Sequence, residues 1–328
     1  MQAQEYALAK WSIGQRARDM LDGDVDAALE AGTIVRTHVM RPTWHFVAAE
    51  DVRWLLGLTG SRVHQKNARR YRELGLDAKI LARCERVIAT ALANEGRLTR
   101  KGIAEVLGRG RVDIEAQRLP YILMHCELEA LIGSGGMEGK QHTYALLDEK
   151  VPPGHRLSSE AALTEIVRRY LQSHGPATAK DIGWWSGLTL GDVRRGVEGV
   201  TDAEESTVDG TTFWSLGGPS PPRPRGSLLL QVYDETVVGY SDSRFFGDPR
   251  AEEARAAWKD RSLPQGIVLV DGAIAGHWRR TLTNTRVKVE IVTYGEPRRT
   301  VTRKVESATA ELGAFFGHAV ESVVEMQR

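Results

Sequence analysis

Gly96-Arg97-Leu98-Thr99-Arg100-Lys101-Gly102-Ile103 and Gly175-Pro176-Ala177-Thr178-Ala179-Lys180-Asp181-Ile182 carry one pattern, G-x-x-T-x-K-x-I. An apolar stripe precedes each copy: Leu81, Val87, Ile88 and Leu92 before the first, Leu163, Ile166, Val167, Tyr170 and Leu171 before the second. Their spacings are mostly three and four, as on one face of a helix. The glycine is expected to end that helix in a left-handed conformation. The threonine is expected to cap the next helix by accepting a hydrogen bond from its exposed N–H groups. Helix, tight turn and Thr-capped helix open a helix-turn-helix. A third helical stretch follows each copy (Leu119 to Leu131, Leu190 to Val197), then a hairpin. Its second strand reads Thr143-Tyr144-Ala145-Leu146-Leu147 in one copy and Thr212-Phe213-Trp214-Ser215-Leu216 in the other, both T-aromatic-x-x-L. The turns are Gly-rich (Gly133 to Gly139) or Asp209-Gly210, as hairpins prefer. Three helices followed by a hairpin make a winged helix.

A variant of the same strand ending in valine, Thr43-Trp44-His45-Phe46-Val47, follows a strand-like run, Thr33 to Met40, and an Arg41-Pro42 turn. Before it lie a short helix, Val25 to Ala31, and a longer one, about Gln4 to Ala17. This third unit lacks its first helix: either it is incomplete, or Met1 is an internal methionine of a longer reading frame. The composition shifts at Gly217 to Gly226, a Pro/Gly-rich linker. Strand-like runs at Leu228 to Val232, Ile267 to Val270 and Val287 to Val292, an Asp271-Gly272 turn and a closing helix, Ser307 to Phe316, read as a sheet or partly closed barrel. The expected fold is α+β: three tandem winged-helix units plus a C-terminal β-rich module. The boundaries expected are 1–48 for the truncated first unit, 49–84 for a helical connector with a basic helix, 85–150 and 151–217 for the second and third units, and 218–328 for the linker and module.

The chain has 328 residues, 41% of them hydrophobic and 27% charged, which suits two to three folded domains rather than a disordered protein. No apolar run reaches the roughly 18 residues that span a bilayer. Met1 is followed by the polar Gln2-Ala3-Gln4-Glu5, so a secretory signal is not expected, and a cytoplasmic, nucleoid-associated location is. Cys84 and Cys126 are solitary and read as small buried fillers, with neither a disulfide nor a structural zinc expected. The net charge of +1 says little, because nucleic-acid sites are patches. One patch is Arg62, His64, Lys66, Arg69, Arg70 and Arg72. Another runs from Arg279-Arg280 to Arg286 and Lys288. A solvated helix face explains such runs as well as a phosphate clamp does. No metal-ligand cluster, phosphate-cradling loop or nucleophile elbow is legible. An isolated acidic pair such as Asp234-Glu235 is ordinarily a turn or surface feature. Spacing alone therefore stops at a multi-winged-helix DNA binder.

Gln2-Ala3-Gln4, with Ala7, Leu8, Trp11 and Ser12, resembles the Q-x-Q segment of the AlkZ-like family, winged-helix DNA glycosylases that excise N7-alkylated purines and unhook interstrand crosslinks. Arg36-Thr37 and Arg41-Pro42-Thr43-Trp44-His45 are similar to that family's first hairpin. His174 to Thr178 and Trp184-Trp185-Ser186-Gly187-Leu188 are similar to its third unit. Tyr233-Asp234-Glu235, Gly239-Tyr240 and Val270-Asp271-Gly272 with Trp278-Arg279-Arg280 are similar to its C-terminal module. Two departures stand out. The family begins some thirty residues upstream of its Q-x-Q, and Ser243 of Gly239-Tyr240-Ser241-Asp242-Ser243-Arg244 falls where the family has arginine.

The resemblance implies that Gln2 and Gln4 are the catalytic pair. An N7-alkylguanine is already cationic and leaves without a general acid, so the protein has only to hold a water beside an oxocarbenium-like sugar. On an ideal helix residues i and i+2 lie about 200° apart, so the pair can share a site only if this segment is irregular or one member acts indirectly. DNA contacts are expected from Arg36, Arg41 and His45 on the first wing, from Arg62, Lys66, Arg69 and Arg70 on the basic helix, and from Arg279 and Arg280. Along the wing strand Trp44 and Phe46 are expected in the core, with His45 either projecting to DNA or bonded to nearby backbone. Asp234, Glu235 and Tyr240 are candidates to line the channel. The partner is double-stranded DNA, gripped by a monomer with no cofactor and no metal. The alternative is a non-catalytic winged-helix regulator. The third helices offer few base-reading side chains, which favours the enzyme.

Overall fold

The computed structural model describes residues 1–115, 117–154, 157–218, 224–241, 243, 248, 250, 252, 266–282, 286–294 and 299–327. It is a mixed α/β protein whose chain divides into two compact units, Met1–Gln4 with Asp26–Leu216, and Glu5–Val25 with Gly217–Arg328. The expected first unit, 1–48, is thus shared between the two.

In the first unit β1 (Ile34–Val39) and β2 (Arg41–Ala48) pair antiparallel, with Arg36 opposite Phe46, Thr37 opposite His45 and His38 opposite Trp44. The 25-residue α3 (Ala49–Glu73) buries Val52, Leu55, Leu56, Thr59, Val63, Asn67 and Tyr71, a stripe at helical spacing, and packs against both strands. Next come α4 (Ala78–Glu95), β3 (Arg97–Thr99), α5 (Arg100–Arg109), α6 (Arg118–Leu128), β4 (Ile132–Glu138), β5 (Gln141–Leu146) and the single turn α7 (Leu147–Lys150). The three strands form a sheet in the order β3-β5-β4. After α8 (Ser159–His174), α9 (Ala179–Ser186) and α10 (Leu190–Gly199), a hairpin of β6 (Ala203–Val208) and β7 (Thr211–Leu216) closes the unit. That hairpin turns at Asp209 and Gly210, both at positive φ (49° and 72°), as a two-residue turn matched to strand twist requires.

The two G-x-x-T copies fold as their capping chemistry dictates, with one difference. Thr99 accepts from the Gly102 N–H at the start of α5. Thr178 accepts from the Asp181 N–H at the start of α9, and Asp181 returns the bond to the Thr178 N–H, a capping box. Gly96 ends α4 at φ 73°. Gly175 does not adopt the left-handed conformation expected of it: it stands at φ −67°, ψ 151°. It precedes Pro176, whose ring drives its neighbour into extended space. Glycine is needed there for proximity instead, because a Cβ would lie 2.5 Å from the Leu171 carbonyl oxygen. The residue before each threonine pairs with the closing strand: Leu98 lies opposite Tyr144, and Ala177 is bridged to Trp214. Relative to the shared T-aromatic-x-x-L pattern, the second pairing is displaced by one residue.

Cys84 and Cys126 are free, fully buried members of the core that also holds Ile88, Leu92, Ile103 and Leu107. Burial pushes both thiols up, Cys84 to about 11, so they act as small apolar groups.

The second unit contains α1 (Tyr6–Gly14) and a five-stranded sheet in the order β12-β11-β10-β9-β8, built from β8 (Ser227–Leu230), β9 (Gly266–Val270), β10 (Ala273–Leu282), β11 (Arg286–Tyr294) and β12 (Ala319–Gln327). All neighbours are antiparallel except β11 and β12, which are joined through α12 (Arg299–Phe316). Asp271 and Gly272, at φ 52° and 82°, make the expected β9–β10 turn. Residues 5–17 belong here because α1 is bonded to this unit: the Trp11 indole N–H donates to the Leu229 carbonyl (2.8 Å), and its ring meets Phe315 edge-on at 5.4 Å. α2 (Asp22–Glu30) leads from this unit back to the first. Of the expected linker, residues 219–223 lie outside the described residues, as do Asp242 and Arg244. No helix among the described residues is long and apolar enough to cross a membrane.

Candidate active site and DNA-facing cluster

The first three residues are extended, not helical. Ala3 N–H donates to the Trp44 carbonyl (2.7 Å), Phe46 N–H donates to the Met1 carbonyl (2.8 Å), and Gln2 is bridged to His45. Met1–Ala3 therefore adds a short third strand to the β1–β2 hairpin, and the helix begins only at Tyr6. Directly opposed residues share a face, so Thr37, His45 and Gln2 form one polar row across three strands. All three are buried: Thr37 and His45 completely, and Gln2 to 7% exposure. Gln4 is exposed. The backbone is extended through Ala3 and bends at Gln4, so the helical geometry that would set the two side chains about 200° apart does not apply.

On the opposite face of the hairpin, Arg36 holds the segment down. Its Nε–H donates to the Ala3 carbonyl (3.1 Å), and its guanidinium lies 4.3 Å from the Trp44 ring centre. His38, on that same face, packs its ring against Trp44 (4.7 Å) and is hydrogen-bonded through Nδ1 to the buried Glu127. One expectation changes here, for Trp44, and of the two readings for His45 the bond to nearby backbone is the one found. Trp44 is only half-buried, as a platform for Arg36, while Phe46 is in the core. His45 does not project outward: the added strand covers it, and its Nδ1 bonds to the Thr43 carbonyl (2.9 Å).

Three of the expected DNA-contacting residues come together. Arg62 donates through Nε to the Gly187 carbonyl (2.9 Å) and reaches Asp192 at 3.3 Å. Lys66, one turn further along α3, lies beside Arg62 and Arg41; its desolvation, then those two cations, hold its ammonium below the usual lysine range. Gly187 makes the approach possible, since it sits at φ 75° and a Cβ would lie 2.3 Å from the Met40 carbonyl oxygen. Gly187 lies within the Trp184-Trp185-Ser186-Gly187-Leu188 stretch. The Met1–Ala3 strand runs antiparallel to β2, so the chain moves towards Arg41 as it approaches Gln4.

The other expected residues are engaged elsewhere. Arg69 and Arg70 both pair with Glu73, and Arg70 also donates to Gln117. In the second unit, Arg279 forks onto Glu290 across the β10–β11 pair. Arg280 is largely buried, 5.5 Å from the Phe316 ring centre and 3.8 Å from Glu5; desolvation lowers its pKa. Asp234 is fully buried, accepts two bonds from Arg16 (2.9 and 2.7 Å) and one from Ser12 (2.8 Å), and caps α11 (Glu235–Val238) at the Thr236 N–H. Glu235 is buried beside it, and Tyr240 is half-buried.

A family model described as DNA glycosylase AlkZ-like matches residues 1–315. This chain belongs to that family. As an AlkZ-like protein it is a DNA glycosylase that acts on DNA in repair, and the alternative of a non-catalytic regulator falls away. Among solved structures, the fold is similar to that of Streptomyces sahachiroi DNA glycosylase AlkZ, with a TM-score of 0.79 and 18% identity over 98% of this chain and 91% of that one. At that identity the likeness speaks for the fold of this AlkZ-like chain. No curated protein matches it.

Proposed function

We propose that this glycosylase excises N7-alkylated purines from duplex DNA, crosslinked adducts included, as a monofunctional hydrolase working as a monomer without a cofactor. The scaffold is read as three winged-helix units, 1–48, 85–150 and 151–217, joined by the connector 49–84 and followed by the module 218–328. The observation that carries the reading is the extended Met1–Ala3 strand, clasped by Arg36 and leading into Gln4 in the direction of the Arg41, Arg62 and Lys66 cluster.

The cluster takes the phosphates flanking the lesion, with Arg41 at the hairpin tip. The exposed Gln4 accepts a hydrogen bond from the attacking water through its side-chain carbonyl. Gln2, buried against His45 and Thr37, is a positioning residue that fixes the segment. An amide is a weak proton acceptor, so the chemistry requires a leaving base that already carries positive charge; oriented water completes the displacement as the N-glycosidic bond breaks. Selectivity for cationic lesions over normal bases follows.

The test is duplex DNA containing N7-methylguanine, with abasic sites scored after alkaline cleavage. The unsubstituted protein should release the base and leave undamaged guanine intact. Gln4→Ala should lose most single-turnover activity while binding DNA normally. Full activity in both Gln2→Ala and Gln4→Ala would remove the glutamines from the mechanism.

A further inference from the structure

His64 on α3, together with His125 and Glu129 at the end of α6, gathers three metal-ligating groups from distant parts of the chain. One ligand atom from each lies within 4.8 Å of the others. The two imidazole rings are 5.1 Å apart. His64 Nε2 lies 2.9 Å from a Glu129 carboxylate oxygen, so these two groups already face one another. Two donors bonded to a tetrahedral zinc at about 2.0–2.1 Å stand roughly 3.3 Å from each other, so the pair is already close to the edge of a coordination polyhedron.

Each histidine is also held from its far side. Glu85, on α4, accepts from His125 Nε2 at 2.6 Å, which leaves Nδ1 with the lone pair; that atom is buried and has no hydrogen-bond partner. The Tyr71 hydroxyl bonds to His64 Nδ1 at 3.1 Å. A carboxylate or hydroxyl behind a ligating imidazole fixes its tautomer and orientation, as around zinc in metalloproteins. Glu129 is the C-cap of α6, where the helix dipole adds negative potential.

We propose that His64, His125 and Glu129 bind a single divalent transition-metal ion of the zinc class, with Glu85 and Tyr71 as outer supports and water completing the shell. The ligand set of imidazole and carboxylate suits Zn(II) and its Co(II) surrogate rather than calcium or magnesium. The ion would brace α3, α4 and α6 at one point and fix the helix that carries Arg62 and Lys66. The sequence could not suggest this site, because its ligands are scattered and no motif spacing connects them.

The experiment uses the full chain, tag-free and stripped with chelator, titrated calorimetrically with Zn(II) alone. One ion per chain should bind saturably and raise the thermal midpoint, and Co(II) should give the visible absorption of a tetrahedral site. His125→Gln and Glu129→Gln should each weaken binding at least about tenfold, and Glu85→Gln about 10- to 100-fold, while retaining the metal-free melting profile. If a variant melts lower without metal, the Co(II) spectrum of His64→Gln replaces it as the deciding measurement. The absence of a one-to-one isotherm, or a Co(II) spectrum unchanged in His64→Gln, would overturn the proposal.

Discussion

Replacing Arg36 by alanine separates two roles that its position on the first hairpin allows: a phosphate contact, or a clasp on the catalytic segment. Its side chain donates a 3.1 Å hydrogen bond to the Ala3 carbonyl of that segment and stacks at 4.3 Å on Trp44 of β2. A charge-assisted hydrogen bond contributes about 1.5 kcal/mol and a half-buried cation–π contact about 1 kcal/mol. Only the hydrogen bond reaches the segment itself, since Trp44 belongs to β2, so its loss, about 1.5 kcal/mol, shifts the docking equilibrium of Met1–Gln4 by roughly tenfold. The remaining restraints are backbone bonds such as Ala3 N–H to Trp44 (2.7 Å) and Phe46 N–H to Met1 (2.8 Å). Each is worth about 1 kcal/mol, and fixing each residue's backbone costs 1–2 kcal/mol, so they leave little margin.

Arg36→Ala should therefore lower the single-turnover rate on N7-methylguanine DNA by up to about tenfold, while DNA affinity and its salt dependence stay within about twofold. Arg36→Lys keeps the charge but not the planar fork, and should rescue poorly. The reasoning is refuted if Arg36→Ala keeps its rate but binds DNA more weakly, with the slope of log K against log salt shallower by about 0.9, as for a lost phosphate contact.

Lys66→Ala and Arg41→Ala should each weaken binding to damaged and undamaged duplexes alike, and each should flatten the salt slope by about 0.9, measured by fluorescence anisotropy. Asp234→Ala should destabilise the second unit by about 2–3 kcal/mol in chemical denaturation, since it leaves Ser12 buried without its acceptor, strips Arg16 of a bidentate partner and removes a helix cap; the rate per folded molecule should not change. Gly96→Ala should cost about 1–2 kcal/mol, from its positive-φ backbone alone (φ 73°, ψ −47°), because nothing lies within 4 Å of the new Cβ. Gly175→Ala suits its backbone but meets the Leu171 carbonyl oxygen at 2.5 Å, so it should cost more, about 2–3 kcal/mol; equal melting points for the two variants would contradict this.

Local chemistry was legible in the sequence wherever both partners of an interaction lie within one or two turns. Thr99 and Thr178 cap helices because the N–H groups they satisfy are three residues away, and Asp209-Gly210 and Asp271-Gly272 turn because only those few residues set φ. The Q-x-Q segment and most of the chain's order were legible too, through a family pattern carried by short motifs. Gly175 shows where that legibility ends even locally: the neighbouring proline overrode the usual role of a helix-terminal glycine.

Only the tertiary structure decided what lies across from each motif. Gln2 is in a strand because Met1–Ala3 finds free backbone groups on β2 more than forty residues away, and this is also why His45 is covered. Basic residues in one run separated by their neighbours: Glu73 takes Arg69 and Arg70, while Arg62 and Lys66 reach Gly187 and Arg41 on other elements. Asp234 was bound by Ser12 and Arg16 across more than two hundred residues. Composition and periodicity fix which face of an element is apolar. The partner that a polar side chain meets depends on chain crossings that bring remote segments within hydrogen-bond range, and those exist only once the core has formed.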